Sequence, residues 1–86
     1  MAKYSVLYTE AFYRSLTTIP KKDAERILRR TRSLSDNPRP VGCQKLSGQE
    51  KYRIRQGNYR IIYTIEDDRL IVVVVTVGNR KEVYDR

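Results

Sequence analysis

The chain has 86 residues, the length of one small domain, and its hydrophobic content of 40% is too high for a disordered tail. Eighteen Lys and Arg against ten Asp and Glu give a net charge of +8, which favours an anionic partner such as nucleic acid or an acidic protein. The absence of histidine removes the usual acid/base group of neutral pH and most zinc chemistry, and a lone cysteine, Cys43, excludes an internal disulfide.

The amino terminus, "MAKYSVLYTE", carries no apolar signal-peptide core, and no apolar run reaches membrane-spanning length. A cytoplasmic protein with no membrane partner is expected. "KYSVLY" alternates Tyr4, Val6 and Tyr8 against Lys3, Ser5 and Leu7, which predicts a first strand. Thr9 is placed to cap a following helix, with Glu10 favourable in its first turn. Phe12, Leu16 and Ile19 give that short helix one apolar stripe. Pro20 ends it or opens the next.

A second helix is predicted from Lys21 to Ser35, with Ala24, Ile27, Leu28, Thr31 and Leu34 as its buried stripe. Lys22, Arg26, Arg29 and Arg30 fall on its outer face, either as a solvated surface or as a contact for an acidic one. Pro38 and Pro40 stop the helix. Cys43, just beyond, reads as a small half-buried apolar residue.

From Lys51 the pattern is strand, turn, strand. Tyr52 and Ile54 point one way; Lys51, Arg53 and Arg55 point the other. "QGN" makes a turn. In the next strand Tyr59, Ile61, Tyr63 and Ile65 form the apolar face, opposite Arg60, Ile62, Thr64 and Glu66. "EDDR" turns again. Residues 70–77 are apolar on both faces, as expected for a central strand, and Gly78 with Asn79 is expected to break it.

The order predicts an α+β fold in one domain over residues 1–86: a small antiparallel sheet with two N-terminal helices packed on one face. The helices need the apolar side of the strands. Arg53, Arg55 and Arg60 then gather with Lys51 on the open face, where forked guanidinium donors match phosphate oxygens.

"KLSG", "YRIRQGNYRIIYTI", a Val-rich strand and "VGNRKEVYDR" together resemble the RelE/ParE superfamily of bacterial toxin–antitoxin toxins. The resemblance runs over essentially the whole chain and implies a β-α-α-β-β-β order. RelE-like members cleave messenger RNA in the ribosomal A site; ParE-like members inhibit DNA gyrase and cleave nothing. The RelE branch places a basic residue after the glycine of the last long strand and a tyrosine a few positions on, matched here by Arg80 and Tyr84. It also uses an arginine after the turn, matched by Arg60, and two basic residues on the preceding strand, matched by Arg53 and Arg55. Studied RelE toxins carry lysines at these last two positions, and arginine there is also common in ParE members.

The resemblance therefore implies a ribosome-dependent endoribonuclease, with a ParE-like gyrase inhibitor as the alternative. Its implied catalytic residues are Arg60, Arg80, Tyr84 and Arg53, with Arg55, Lys51 and Lys45 as RNA contacts. No metal or other cofactor is implied. The implied partners are a cognate antitoxin, the ribosome and mRNA. Arg53, Arg55, Arg60, Arg80 and Tyr84 are expected to line one concave surface away from the helices.

Overall fold

The computed structural model describes residues 3–46, 48 and 50–79. They form β1 (Ser5–Tyr8), α1 (Glu10–Leu16), α2 (Lys21–Arg32) running into a 3₁₀ turn (Ser33–Ser35), β2 (Gln44–Lys45), β3 (Lys51–Gln56), β4 (Tyr59–Glu66) and β5 (Ile71–Asn79). One five-stranded sheet has the order β1-β5-β4-β3-β2. The fold is α+β, with both helices on one face of the sheet, as the strand and helix patterns predict.

Phe12 of α1, Ile27 of α2 and Leu34 of the 3₁₀ turn supply the helical side of the core. Ile54, Ile61, Tyr63, Val72, Val74 and Val77 supply the sheet side. All are essentially inaccessible to water. Leu16, Ile19, Leu28 and Cys43 pack around them, half-buried.

Three features go beyond the sequence pattern. First, β1 lies parallel to β5, with Val6 opposite Val72 and Tyr8 opposite Val74. The remaining pairs are antiparallel. Second, β2 is only two residues long, too short to show a period, and it pairs Gln44 with Arg53 and Lys45 with Tyr52. Third, the ladder between β4 and β5 shifts register: Ile62 pairs with Thr76 but Tyr63 with Val74, leaving Val75 as an extra residue. This β-bulge explains why Val72, Val74 and Val77 all reach the core although strict alternation would send Val77 to the other face.

The break expected at Gly78 is absent. Gly78 pairs with Arg60 and Asn79 with Tyr59, so β5 runs through both. A glycine weakens a strand through backbone entropy but keeps its N–H and C=O, so it can stay in the ladder with β4.

Thr9 ties the helical layer to the bulge. Its Oγ1 accepts from the Phe12 N–H at 3.0 Å, capping α1, and donates to the carbonyl of Val75. Its own N–H donates to Val74 O at 3.1 Å. Thr9→Ala is expected to destabilise the protein by about 1–2 kcal/mol, since it removes a helix cap and a partner of the bulge carbonyl. Urea denaturation followed by circular dichroism measures this. An Oγ1 without an energetic role would leave the midpoint unchanged.

Candidate functional site

The hairpin of β3 and β4 sorts its residues by register. Tyr52 faces Tyr63, Ile54 faces Ile61 and Gln56 faces Tyr59, on the side of the helices. Lys51 faces Thr64, Arg53 faces Ile62 and Arg55 faces Arg60, on the helix-free side. Lys51, Arg53, Arg55 and Arg60 therefore share one surface. The loop that sets this pairing has two residues. Gly57 comes first with φ of +60°, and Asn58 follows with negative φ, the sign pattern of a type II′ turn, whose twist matches that of the flanking strands.

Ile62 forms part of the floor of this basic face. It is only 4% exposed yet lies opposite the helical core, flanked through its pairing by Arg53 and Thr76. Leu46, also buried, continues the register of β2 opposite Lys51, with its N–H donating to Lys51 O at 2.8 Å. Arg53 and Arg60 are half-buried, while Arg55 and Lys51 stand exposed. The Arg53 guanidinium donates to Gln44 Oε1 across the β2–β3 pair. A cleft at this edge is lined by Arg30, Val41, Gly42, Gln44, Arg53 and Arg55.

Lys45 departs from the group. It pairs with Tyr52, so its register places it on the opposite side of the sheet from Arg53, and its ammonium lies 3.6 Å from the Glu50 carboxylate. Arg80 and Tyr84 lie outside the described residues. Besides Arg53 and Arg55 the cleft takes Val41, Gly42 and Gln44 from the loop and β2, and Arg30 from α2, none of which the sequence places in the site. Arg30 was visible only as one of several outer-face cations. Gln44 had no signal, because a two-residue strand has no alternation to read.

The loop between α2 and β2 is held by a polar network. Tyr63 is fully buried, and its hydroxyl donates to the Pro38 carbonyl at 2.7 Å while lying 3.1 Å from Cys43 Sγ. Burial, with the contact to Cys43 adding to it, pushes its ionisation far above the ordinary tyrosine range. Tyr52 stacks on Tyr63 with ring centroids 5.9 Å apart, and the Arg39 guanidinium sits 5.3 Å from the Tyr52 centroid. Arg39 grips Asp67 with two hydrogen bonds of 3.1 and 2.8 Å, and Tyr4 donates to the same carboxylate at 2.7 Å. The loop is thereby fastened to β3 and to the turn before β5, which places β2 and Gln44 beside Arg53.

The hydrogen bonds from Arg39, then that from Tyr4, lower the Asp67 pKa from 3.8 to about 2. A carboxyl whose folded pKa is depressed stabilises the fold above its unfolded pKa and loses that contribution as pH falls through the folded one. Stability is therefore expected to decline between about pH 4 and about pH 2 through this group, and Asp67→Asn should lack that component. Urea midpoints of both proteins across this range check it: the gap between them should narrow as the pH falls. A gap independent of pH would remove Asp67 from the acid transition.

The family model described as ParE toxin of type II toxin–antitoxin system, parDE, matches residues 6–84. Toxin RelG of Mycobacterium tuberculosis is 30% identical over 87 residues, covering 96% of this chain and 98% of that protein. A RelE-like toxin protein of Escherichia coli is 27% identical over 88 residues, covering 96% and 92%. Among solved structures, a chain of the toxin–antitoxin complex RelBE2 from Mycobacterium tuberculosis superposes with a TM-score of 0.82 at 26% identity, over 92% of this chain and 100% of that one. A chain of the archaeal RelE–RelB complex from Pyrococcus horikoshii gives 0.82 at 25% identity, over 94% and 99%.

Proposed function

The chain belongs to the RelE/ParE superfamily of type II toxin–antitoxin toxins, and from that premise we propose that it is a ribosome-dependent endoribonuclease that cleaves mRNA in the A site. The observation that carries this reading is the register that gathers Arg53, Arg55 and Arg60 on the helix-free face. The RelE-like relative and the RelE–RelB complexes among its structural neighbours support the RelE branch over gyrase inhibition.

In the proposed reaction a ribose 2′-oxygen attacks the adjacent phosphorus. The O2′–P bond forms and the P–O5′ bond breaks. The 2′-OH proton is lost and the departing O5′ gains one. The products are a 2′,3′-cyclic phosphate and a 5′-OH. Arg60 and Arg80 hold the charge that grows on the phosphoryl oxygens, as preorganised donors do at an oxyanion. Arg53 contacts the same phosphate, Arg55 and Lys51 hold the flanking backbone, and Tyr84 stacks on a splayed base or orients the 2′-OH.

Arginine is a poor proton acceptor. With a solution pKa of about 12.5 or higher, its neutral fraction at pH 7 is at most on the order of 10⁻⁵. Catalysis in this reading leans on charge stabilisation and on the ribosome, which sets the mRNA backbone in line for attack. Its partners are the ribosome, mRNA and a cognate antitoxin. Toxin–antitoxin complexes among its structural neighbours support the last of these, and the +8 charge suits a partly acidic wrap. The working compartment is the cytoplasm, where ribosomes are.

Single-turnover cleavage on programmed ribosomes tests the assignment. Arg60→Ala and Arg80→Ala should each slow cleavage by roughly 10²-fold or more, the scale of a lost oxyanion donor. Lys51→Ala should cost less than about 10-fold, because a dedicated general base contributes about 10²- to 10⁴-fold. Naked RNA should stay largely intact. Gyrase inhibition with ribosomes unaffected would reject the reading.

A further inference from the structure

Two clefts meet at Arg30. One opens on the helix-free face beside Arg53, Arg55 and Gln44. The other opens on the helical side and is lined by Arg26, Arg29, Arg30, Ser33 and Gln56. Between them runs the outer edge of β3, where β2 covers only Tyr52 and Arg53 and leaves residues 54–56 without a strand neighbour on that side. The three α2 arginines recur at i, i+3 and i+4, so they share one helix face. Among the described residues none of the three forms an ion pair; the salt bridges there engage Lys3, Arg14, Arg39, Lys45 and Arg69.

We propose that this edge extends the RNA surface: an RNA backbone runs from the helix-free face around β3 onto α2, with its phosphates held by Arg26, Arg29 and Arg30. The inference rests on reading the sheet face as an RNA site and adds to it a docking strip outside the reacting centre. The chemistry of the lining selects the occupant. A protein segment that docks through its side chains draws its affinity from aromatic or aliphatic anchors in desolvated pockets. The combined lining has one large apolar side chain, Val41, and it is 99% exposed. The rest is arginine, glycine, Ser33, Gln44 and Gln56. Phosphate binding requires only positive charge and forked donors, and guanidinium supplies both.

The test uses a fluorescently labelled single-stranded RNA with 2′-O-methyl ribose throughout. It has no free 2′-OH, so binding is read without cleavage. Affinities of the full chain and of Arg26→Gln/Arg29→Gln/Arg30→Gln are measured by anisotropy from about 50 to about 200 mM salt. Three lost phosphate contacts at about 0.7 each should make the slope of log K against log salt shallower by about 2, with affinity at about 0.1 M salt lower by roughly 10²-fold. Arg30 is half-buried, so Arg26→Gln/Arg29→Gln, at two exposed positions, is measured alongside and should lose about two-thirds of that slope. Unchanged slopes in both variants overturn the proposal. So does unchanged RNA binding with weakened binding of poly-glutamate, which would give the strip to an acidic protein. Failure to cut mRNA on ribosomes would reject the nuclease reading alone, since the slope comparison involves no cleavage.

Discussion

Ile54 stands opposite Ile61, and Tyr52 opposite Tyr63, beneath the two helices. The chemistry of the other face follows from these pairs. Strand side chains alternate with a period of two, so a slip of one residue would drive Arg53 and Arg55 towards Phe12 and Ile27 and expose the aliphatic core. Burying an arginine without a partner costs on the order of several kcal/mol. The turn at Gly57 reinforces the same choice, because its positive φ closes a two-residue loop in one register. The hydrophobic effect on one face thus dictates where the cations stand on the other.

The position of the sheet edge is set differently. Tyr63 is the largest fully buried side chain, and its hydroxyl would be costly to bury without a partner. The Pro38 carbonyl provides that partner, and the loop after α2 is drawn down over the sheet. Arg39 and Asp67 clamp the same loop from outside, where solvent screens the pair and its value lies in geometry more than in energy. Together they bring Gln44 against Arg53 and Val41 with Gly42 against the arginine cleft. A short strand with weak intrinsic preference is thereby brought beside the arginine face by contacts that lie elsewhere.

The composition fits the task assigned to this face. A protein without histidine has no side chain whose ordinary pKa lies near neutral. Fixed positive charge is then its main chemical resource, and guanidinium keeps that charge at any physiological pH. Such a surface suits holding and orienting a phosphodiester better than moving protons. In the proposed reaction that division of labour leaves the alignment of the reacting atoms to the ribosome.

The sequence by itself determined the local elements: the Thr9 cap, the stop at Pro38, the two helical stripes and the alternation that separates Ile54 from Arg53 and Arg55. These depend on neighbours a few residues apart, and periodicity records them. The superfamily was legible for the same reason, in the strand and turn segments from residue 45 onward. Only the tertiary structure decided that β1 runs parallel to β5, that Val75 bulges to return Val77 to the core, that Gly78 stays within its strand, and that Lys45 leaves the arginine face. It alone brought Arg30 beside Arg53 and Arg55. Each of these depends on which strand edges and loop ends meet across long separations in the chain. That is settled by packing and by the satisfaction of buried backbone groups, and a local period carries no record of it.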